Sequence, residues 1–267
     1  MANYSHDRIV PFKDSDLGKK QQIAEMFDKI AFRYDFLNHF LSGGIDGFWR
    51  KRAMRELRGL AAGSSTGGSA AAADVADTAI LDVATGTGDM AILLARRLPQ
   101  TRVVGVDISA GMLEIGRQKV AKLKLGDRIT LQAGDSEALP FTADSFDAVT
   151  VAFGVRNFEN LEKGLLEMHR VLKPGGKLVV LEFSQPRVPV LCQLYRAYMR
   201  RIAPRIAGMA ASNREAYQYL NDSVQAFPEG EALIRILERC GYTAPGLKKL
   251  SLGICSLYTG EKAAGRN

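Results

Sequence analysis

Two glycines follow a short apolar run, where the chain passes from a predicted strand into a predicted helix. The segment reads Ile80-Leu81-Asp82-Val83-Ala84-Thr85-Gly86-Thr87-Gly88-Asp89. Glycine has no Cβ, so the backbone at Gly86 and Gly88 can approach a ligand closely. Ligands of doubly wound folds bind at the carboxyl ends of such strands. With Ala91 in the third place the string also satisfies the dinucleotide pattern G-x-G-x-x-G/A, which by itself is weak evidence.

Carboxylates at the ends of neighbouring predicted strands narrow the ligand. Asp107 ends the second strand, close to the ~20-residue offset at which an acidic side chain accepts hydrogen bonds from ribose hydroxyls. The loop and Asp107 together predict an adenosine-containing ligand, either NAD or S-adenosyl-L-methionine. Asp82 precedes the loop, where it would repel a pyrophosphate and attract a cationic amino-acid group. Asp135 and Ser136 follow the third strand, where a carboxylate can accept from the adenine amine. These residues favour S-adenosyl-L-methionine.

Alternating strands and helices are predicted to position these residues. Strands are expected at 80–84, 102–107, 129–133, 148–152 and 177–183, with two further strand-like runs near 247–250 and 254–259. Helices are expected at 90–98, 109–123, 161–172 and 229–240. Lys173-Pro174-Gly175-Gly176 is the expected turn between a helix and its strand. The predicted fold is α/β, a doubly wound, mostly parallel seven-stranded sheet with helices on both faces.

The remaining segments are predicted to be helical or flexible. Apolar residues between Gly18 and Leu60 recur at helical spacing, which predicts an N-terminal helical cap over residues 1–60. Residues 61–77 are rich in Ala, Gly and Ser and too poor in large apolar groups to offset ordering entropy, so a flexible loop is expected. The sheet domain is expected over residues 78–262, with a helical insertion at 187–211 before the last strands.

Composition limits the classes of partner. The chain has 36 Lys and Arg against 29 Asp and Glu, a formal charge of +7. The basic residues cluster only partly, in runs at 50–58 and 187–205, and each run is predicted to be a solvated helix face, so no nucleic-acid partner is expected. Neither the cysteines nor the histidines have metal-ligand spacing, so we expect no metal. We predict a cytoplasmic protein. Peripheral contact with the inner face of the cytoplasmic membrane and assembly into a homodimer are both left open.

Motifs along almost the whole chain resemble known families. Residues 78–183 resemble class I S-adenosyl-L-methionine methyltransferases, which have a Rossmann-like fold. The flanking segments resemble the ubiquinone/menaquinone biosynthesis C-methyltransferases, and these segments are Met26–Asn38, Leu41–Asp46, Phe153–Asn157, Leu181–Ser184 and Ala216–Ser223. Generic methyltransferases share the glycine loop but not the F-G-x-R-N or I-A-x-x-Y-D strings. The resemblance extends from about Lys19 to Lys262.

This resemblance implies methyl transfer from S-adenosyl-L-methionine to a ring carbon of a prenylated quinol. Demethylmenaquinol is the favoured substrate and 2-methoxy-6-polyprenyl-1,4-benzoquinol the alternative. The residues that the resemblance assigns to the cofactor are Thr87, Asp107, Asp135 and Ser136, which join Asp82, Gly86 and Gly88 as candidates. Members often carry Ser where Ala152 stands, His where Asp46 stands and Asn where Asp135 stands. We therefore expect no hydroxyl contact at 152 and treat Asp46 as non-catalytic.

Carbon methylation of a quinol requires that the ring carbon is aligned with the methyl group and that water is excluded from the site. It also requires a group that assists loss of a phenolic proton. Arg156 follows the fourth predicted strand and could stabilise a phenolate or orient a water. It cannot be the base, because a guanidinium does not deprotonate in proteins. Asp35 or water is the candidate proton acceptor. Arg156 could instead only brace the helical cap through a salt bridge, while Tyr34, Asn157, Tyr217 and Tyr219 could line the ring pocket.

Residues 187–211 are predicted to form a membrane-proximal lid through which a prenylated quinol enters. Leu191, Leu194, Tyr195, Tyr198 and Ile202 recur at three- to four-residue spacing, and Arg196, Arg200 and Arg201 flank them. The same stripe could instead pack over the sheet. Three other functions stay open: a methyltransferase for another small phenol or sterol-like lipid, a nicotinamide-dependent oxidoreductase, and a non-catalytic lipid-binding module.

Overall fold

Seven strands form one sheet in the residues that the computed structural model describes, which are 4–42, 44–57, 78–186 and 214–265. The strands are β1 (Thr78–Val83), β2 (Thr101–Asp107), β3 (Ile129–Ala133), β4 (Phe146–Ala152), β5 (Leu172–Phe183), β6 (Tyr242–Leu250) and β7 (Cys255–Lys262). Their order is β3-β2-β1-β4-β5-β7-β6. The first five are parallel, and β7 runs antiparallel to β5 and β6. The predicted doubly wound, mostly parallel α/β fold is confirmed.

The central strands are apolar because helices cover both of their faces. Successive side chains of a strand point to opposite faces. Ile80 and Val179 accordingly belong to one buried layer, and Leu81 and Val180 belong to the other. The continuous apolar runs in the sequence therefore mark the middle of the sheet.

The helices are α1 (Lys19–Leu41), α2 (Asp46–Arg55), α3 (Asp89–Arg97), α4 (Ala110–Lys122), α5 (Leu161–Val171), α6 (Arg214–Ala226) and α7 (Glu231–Arg239). The predicted helical cap contains α1 and α2. Trp49 and Ala53 of α2 are buried in the same core cluster as Ile80 of β1. The Trp49 indole N–H also donates to the Ser251 hydroxyl at 2.8 Å. Helix α2 is therefore an integral part of the main core.

Two elements differ from the prediction. The Lys173–Gly176 turn lies within β5, because Phe146 and Ala148 of β4 pair with Leu172 and Lys177 and the residues between them form a bulge. The sequence also does not predict α6, whose Tyr, Asn, Asp and Ser residues are weak helix formers. Tertiary packing favours this helix, since Tyr219 is buried in a cluster with residues of α1.

Several predictions fall outside the described residues. These are the flexible loop at 61–77, the lid at 187–211 and the side chains of Tyr34, Asp35, Arg58 and Tyr217. The boundaries of the cap, loop and lid therefore stay predictions.

Candidate functional site

A cleft opens at the carboxyl ends of the parallel strands. It lies where the strand order reverses, between β1 and β4, which is where ligands of doubly wound folds bind. Apolar side chains line the cleft together with a few polar groups, which suits a small-molecule ligand. Its polar wall includes Gly86, Asp107, Asp135 and Ser136. These four residues were predicted to bind the cofactor, and the fold brings them together.

The glycine loop is tied to the end of β2 through Asp107. Gly86 and Gly88 both adopt left-handed backbone conformations, with φ of 57° and 79°. The Gly86 N–H donates to Asp107 Oδ2 at 2.7 Å, and the Ser109 N–H donates to Oδ1 at 2.9 Å. Burial raises the pKa of Asp107, although these backbone donors act in the opposite direction. The carboxylate is therefore held in one orientation at the wall of the cleft.

Asp82 is buried beside the same loop. The hydroxyls of Thr85 and Thr150 donate to its two oxygens at 2.6 and 2.7 Å. Burial raises the pKa of Asp82 to about 6, and the two hydroxyl donors act against that rise. Asp82 lines a smaller cavity that shares Ala84 and Gly86 with the main cleft. A carboxylate is thus available where the sequence predicts the amino-acid group of the ligand.

Helix α1 supplies a side of the cleft that the sequence does not predict. Its residues Lys20, Ile23 and Phe27 line the cleft. Asp28 accepts a hydrogen bond from the Ser109 hydroxyl at 2.6 Å, which anchors α1 at the start of α4. The helical periodicity of α1 indicates an apolar face but not the surface that this face covers.

Two predicted cofactor residues already have partners on other elements. Asp135 accepts from the Lys20 ammonium at 2.8 Å, and Lys20 also pairs with Glu137 at 2.9 Å. Thr87 is buried and lines the smaller cavity, and its hydroxyl accepts from the Lys119 ammonium at 2.8 Å. Lys20 is therefore close enough to influence any contact between Asp135 and an adenine.

Arg156 lies in a short turn after β4 with only 4% of its surface exposed. Its guanidinium pairs with Glu182 of β5 at 2.7 Å and donates to the Phe153 carbonyl. Its neighbour Asn157, not Arg156 itself, belongs to the cleft wall among the described residues. Among the described residues, the bracing interpretation thus has a partner in the strand residue Glu182. The catalytic role of Arg156 stays a prediction, as does that of Asp35.

The basic run at 50–58 is not a uniformly solvated face, and that prediction is wrong for Arg50. Lys51 and Arg55 are exposed, whereas Arg50 is buried. Arg50 forms an ion pair with Asp46 and lines the smaller cavity. Residues four apart share a face of a helix. The spacing of Asp46 and Arg50 in the sequence could therefore have predicted their ion pair.

The side chains present fit a cationic ligand that contains adenosine. Asp82 and Asp107 supply negative charge at the glycine loop, while Ile23, Phe27 and Met112 supply apolar surface. Within the described ranges, no group of three or more His, Cys, Asp or Glu residues is arranged to hold a metal ion.

The sequence matches the ubiE/COQ5 methyltransferase family over residues 16–262. A demethylmenaquinone methyltransferase of Bacteroides fragilis is 41% identical over 260 residues, covering 97% of this chain and 100% of the relative. A ubiquinone/menaquinone biosynthesis C-methyltransferase of Geotalea daltonii is 44% identical over 252 residues, covering 94% of this chain and 100% of the relative.

Solved structures share the fold at low sequence identity. A possible histamine N-methyltransferase of Thermotoga maritima, described as S-adenosylmethionine-dependent, has a TM-score of 0.57 at 18% identity and covers 90% of this chain and 99% of its own. The cyclase SpnF has a TM-score of 0.54 at 19% identity, with coverage of 92% and 97%. Because a cyclase shares the fold, the fold alone does not assign the reaction.

The family match decides between the two adenosine-containing ligands that the sequence left open, and it sets aside the nicotinamide alternative. The chain belongs to the ubiE/COQ5 methyltransferase family, and it is an enzyme that takes its methyl group from S-adenosyl-L-methionine.

Proposed function

We propose that this enzyme methylates a ring carbon of demethylmenaquinol to give menaquinol. The observation that carries the proposal is the 41% identity, over 97% of the chain, to a relative whose name states that activity. The Geotalea daltonii relative, whose name covers both ubiquinone and menaquinone biosynthesis, leaves 2-methoxy-6-polyprenyl-1,4-benzoquinol open as the alternative substrate.

The residues of the cleft have separate tasks in this reaction. When bound, S-adenosyl-L-methionine supplies an electrophilic methyl group to a nucleophilic ring carbon. Asp107 and Asp82 hold ribose and ammonium groups, while Phe27 and Phe153 exclude water from the cleft. Arg156, which pairs with Glu182 and directly precedes the cleft-lining Asn157, is the candidate for stabilising negative charge on the quinol oxygen. The phenolic proton passes to water or to Asp35.

The substrate is tested with radiolabelled S-adenosyl-L-methionine and three acceptors: reduced demethylmenaquinone, reduced 2-methoxy-6-polyprenyl-1,4-benzoquinone and a control phenol. Extraction of the product should show label mainly in menaquinol. Label only in the benzoquinol product would favour the alternative substrate, and label only in the phenol would contradict both quinol assignments.

The affinity for the methyl donor should depend on pH through Asp82. Its pKa is about 6, so acidification below pH 6 removes the charge that attracts an ammonium group. An ammonium bound nearby stabilises the carboxylate form, so binding strengthens as pH rises through 6. We expect calorimetry to show weaker binding at pH 5 than at pH 7 for wild type, since the α-ammonium of the ligand is itself lost near pH 8. Asp82→Asn should bind more weakly at pH 7 and show a flatter profile between pH 5 and pH 7. Equal slopes for the two proteins would exclude Asp82 as the titrating group.

We also propose that the enzyme makes peripheral contact with an anionic membrane surface. A prenyl tail partitions into lipid, so the enzyme must meet its substrate at the membrane surface. In the part of the chain that the structure describes, no helix is long and apolar enough to cross a bilayer. The sequence of residues 187–211, with its apolar stripe and flanking arginines, supports surface contact instead.

Changing Arg196, Arg200 and Arg201 together to Gln should reduce co-sedimentation with anionic vesicles. Each basic side chain near an anionic surface adds up to about 1 kcal/mol of attraction. Neutral vesicles serve as the control, because they lack this attraction. Equal binding of wild type and variant to anionic vesicles, with full activity on vesicle-borne quinol, would mean that the segment is only structural.

A further inference from the structure

The smaller cavity continues from the main cleft past the glycine loop. Ala84 and Gly86 belong to the walls of both spaces. Asp107, the predicted ribose acceptor, lies on the cleft side of this junction, and Asp82 lies on the cavity side. A ligand whose ribose lies at Asp107 can therefore extend its remaining atoms into the smaller cavity.

The charged side chains of this cavity match the two charges of an amino acid. Asp82 and Asp89 supply carboxylates, and Arg50 supplies a guanidinium. An α-amino acid group carries one ammonium and one carboxylate. The carboxylates of the cavity can receive the ammonium, but a ligand carboxylate needs a cation. A guanidinium suits that task because its planar set of N–H donors matches a carboxylate.

Arg50 is held in place from several sides. It pairs with Asp46 one turn earlier in α2, and its Nη2 lies 3.9 Å from Asp89. The Ser42 hydroxyl in turn donates to Asp46 at 3.0 Å. The guanidinium also lies over the Phe153 ring, 5.3 Å from its centroid. A buried arginine is costly unless it is paired, and these contacts orient it before any ligand binds.

We propose that Arg50 binds the α-carboxylate of S-adenosyl-L-methionine and that Asp46 is the residue that positions Arg50. The inference depends on the use of this methyl donor but not on the identity of the quinol. It assigns a positioning role to Asp46, which the sequence analysis treats as non-catalytic. A purely structural Arg50–Asp46 pair is the alternative, and it predicts no preference for a ligand that carries a carboxylate.

Ligands that lack only the carboxylate separate the two interpretations. Calorimetry compares S-adenosyl-L-methionine with decarboxylated S-adenosylmethionine, which keeps the ammonium, and with 5′-methylthioadenosine, which lacks the whole amino-acid group. Arg50→Met should weaken binding of S-adenosyl-L-methionine by at least about tenfold, the effect of losing a charged hydrogen bond. Its affinity for 5′-methylthioadenosine should stay within about twofold of wild type. Its affinity for decarboxylated S-adenosylmethionine should not fall, because the variant removes a cation from beside the ammonium.

Three further variants show whether the effect is specific to the guanidinium of Arg50. Lys51→Met removes the next, exposed cation of α2 and should leave all three affinities unchanged. Arg50→Lys keeps the charge without the planar fork and should give an intermediate loss, and it replaces Arg50→Met if that variant does not fold. Asp46→Asn should also weaken binding of S-adenosyl-L-methionine more than binding of the two ligands without a carboxylate, but by less than Arg50→Met does.

Equal weakening of all three ligands by the Arg50 variants, or no weakening of any, would overturn the inference. Wild-type protein that binds 5′-methylthioadenosine but does not distinguish S-adenosyl-L-methionine from its decarboxylated form would also overturn it. None of these measurements uses a quinol, so a failure of the proposed substrate leaves this test unaffected. Absence of any S-adenosyl-L-methionine binding by wild type would instead contradict the methyl donor itself, and the inference with it.

Discussion

Glu182→Ala should lower the free energy of unfolding by about 3–5 kcal/mol, because it removes the carboxylate of a buried ion pair with Arg156. Glu182 has 0% of its surface exposed and pairs with Arg156 at 2.7 Å. It also accepts from the backbone N–H of Phe183 at 2.9 Å. Urea denaturation followed by circular dichroism measures the loss.

Two control variants show whether burial causes this effect. Glu25→Ala removes the partner of Lys29, and the two side chains are 50% and 58% exposed. Exposed pairs contribute only about 0–1 kcal/mol. Combining Glu182→Ala with Arg156→Met removes both charges and should recover part of the lost stability. A double variant no more stable than Glu182→Ala alone would contradict the explanation by a broken buried ion pair.

The same variants test the role of Arg156 in catalysis. If Arg156 only braces the β4–β5 junction, variants of Arg156 and Glu182 should lose activity in proportion to their loss of stability. If it stabilises a phenolate, Arg156→Met should lower kcat even at temperatures where the variant is fully folded. Arg156→Lys would then keep part of kcat, while the affinity for S-adenosyl-L-methionine stays near the wild-type value.

Asp107→Ala should weaken binding of S-adenosyl-L-methionine by about 1.5–3 kcal/mol, which is more than a tenfold loss of affinity. The variant removes the predicted ribose acceptor. It also leaves the N–H groups of Gly86 and Ser109 without their acceptor, so the glycine loop loses its connection to the end of β2. Calorimetry measures the affinity directly.

Asp107→Asn and Asp127→Ala are the controls for this prediction. The asparagine keeps one acceptor oxygen and the shape of the side chain, so its affinity should fall between those of wild type and alanine. Asp127 is an exposed carboxylate beyond α4, and its removal should leave binding unchanged. Unchanged affinity in Asp107→Ala would remove Asp107 from the site.

Local sequence patterns determined the fold class and the position of the cleft. Continuous apolar runs predicted strands buried on both faces, and glycines or carboxylates directly after those runs predicted residues at the carboxyl edge of a parallel sheet. The sequence predicted that Gly86, Asp107 and Asp135 lie close together, because parallel strands end at one edge of the sheet. This prediction does not depend on how the helices pack. Motif resemblance along the chain then indicated the family and its methyl donor.

Only the tertiary structure decided which charged groups meet. Lys20 reaches Asp135 across 115 residues of sequence, and Arg156 pairs with Glu182 on a neighbouring strand. Arg50 belongs to a basic run that looks solvated in sequence, yet it faces a cavity. The physical reason is that a buried charge needs a partner, and the identity of that partner depends on how a helix is rotated and packed. Hydrophobic periodicity indicates which face of a helix is buried, but it does not indicate what that face contacts.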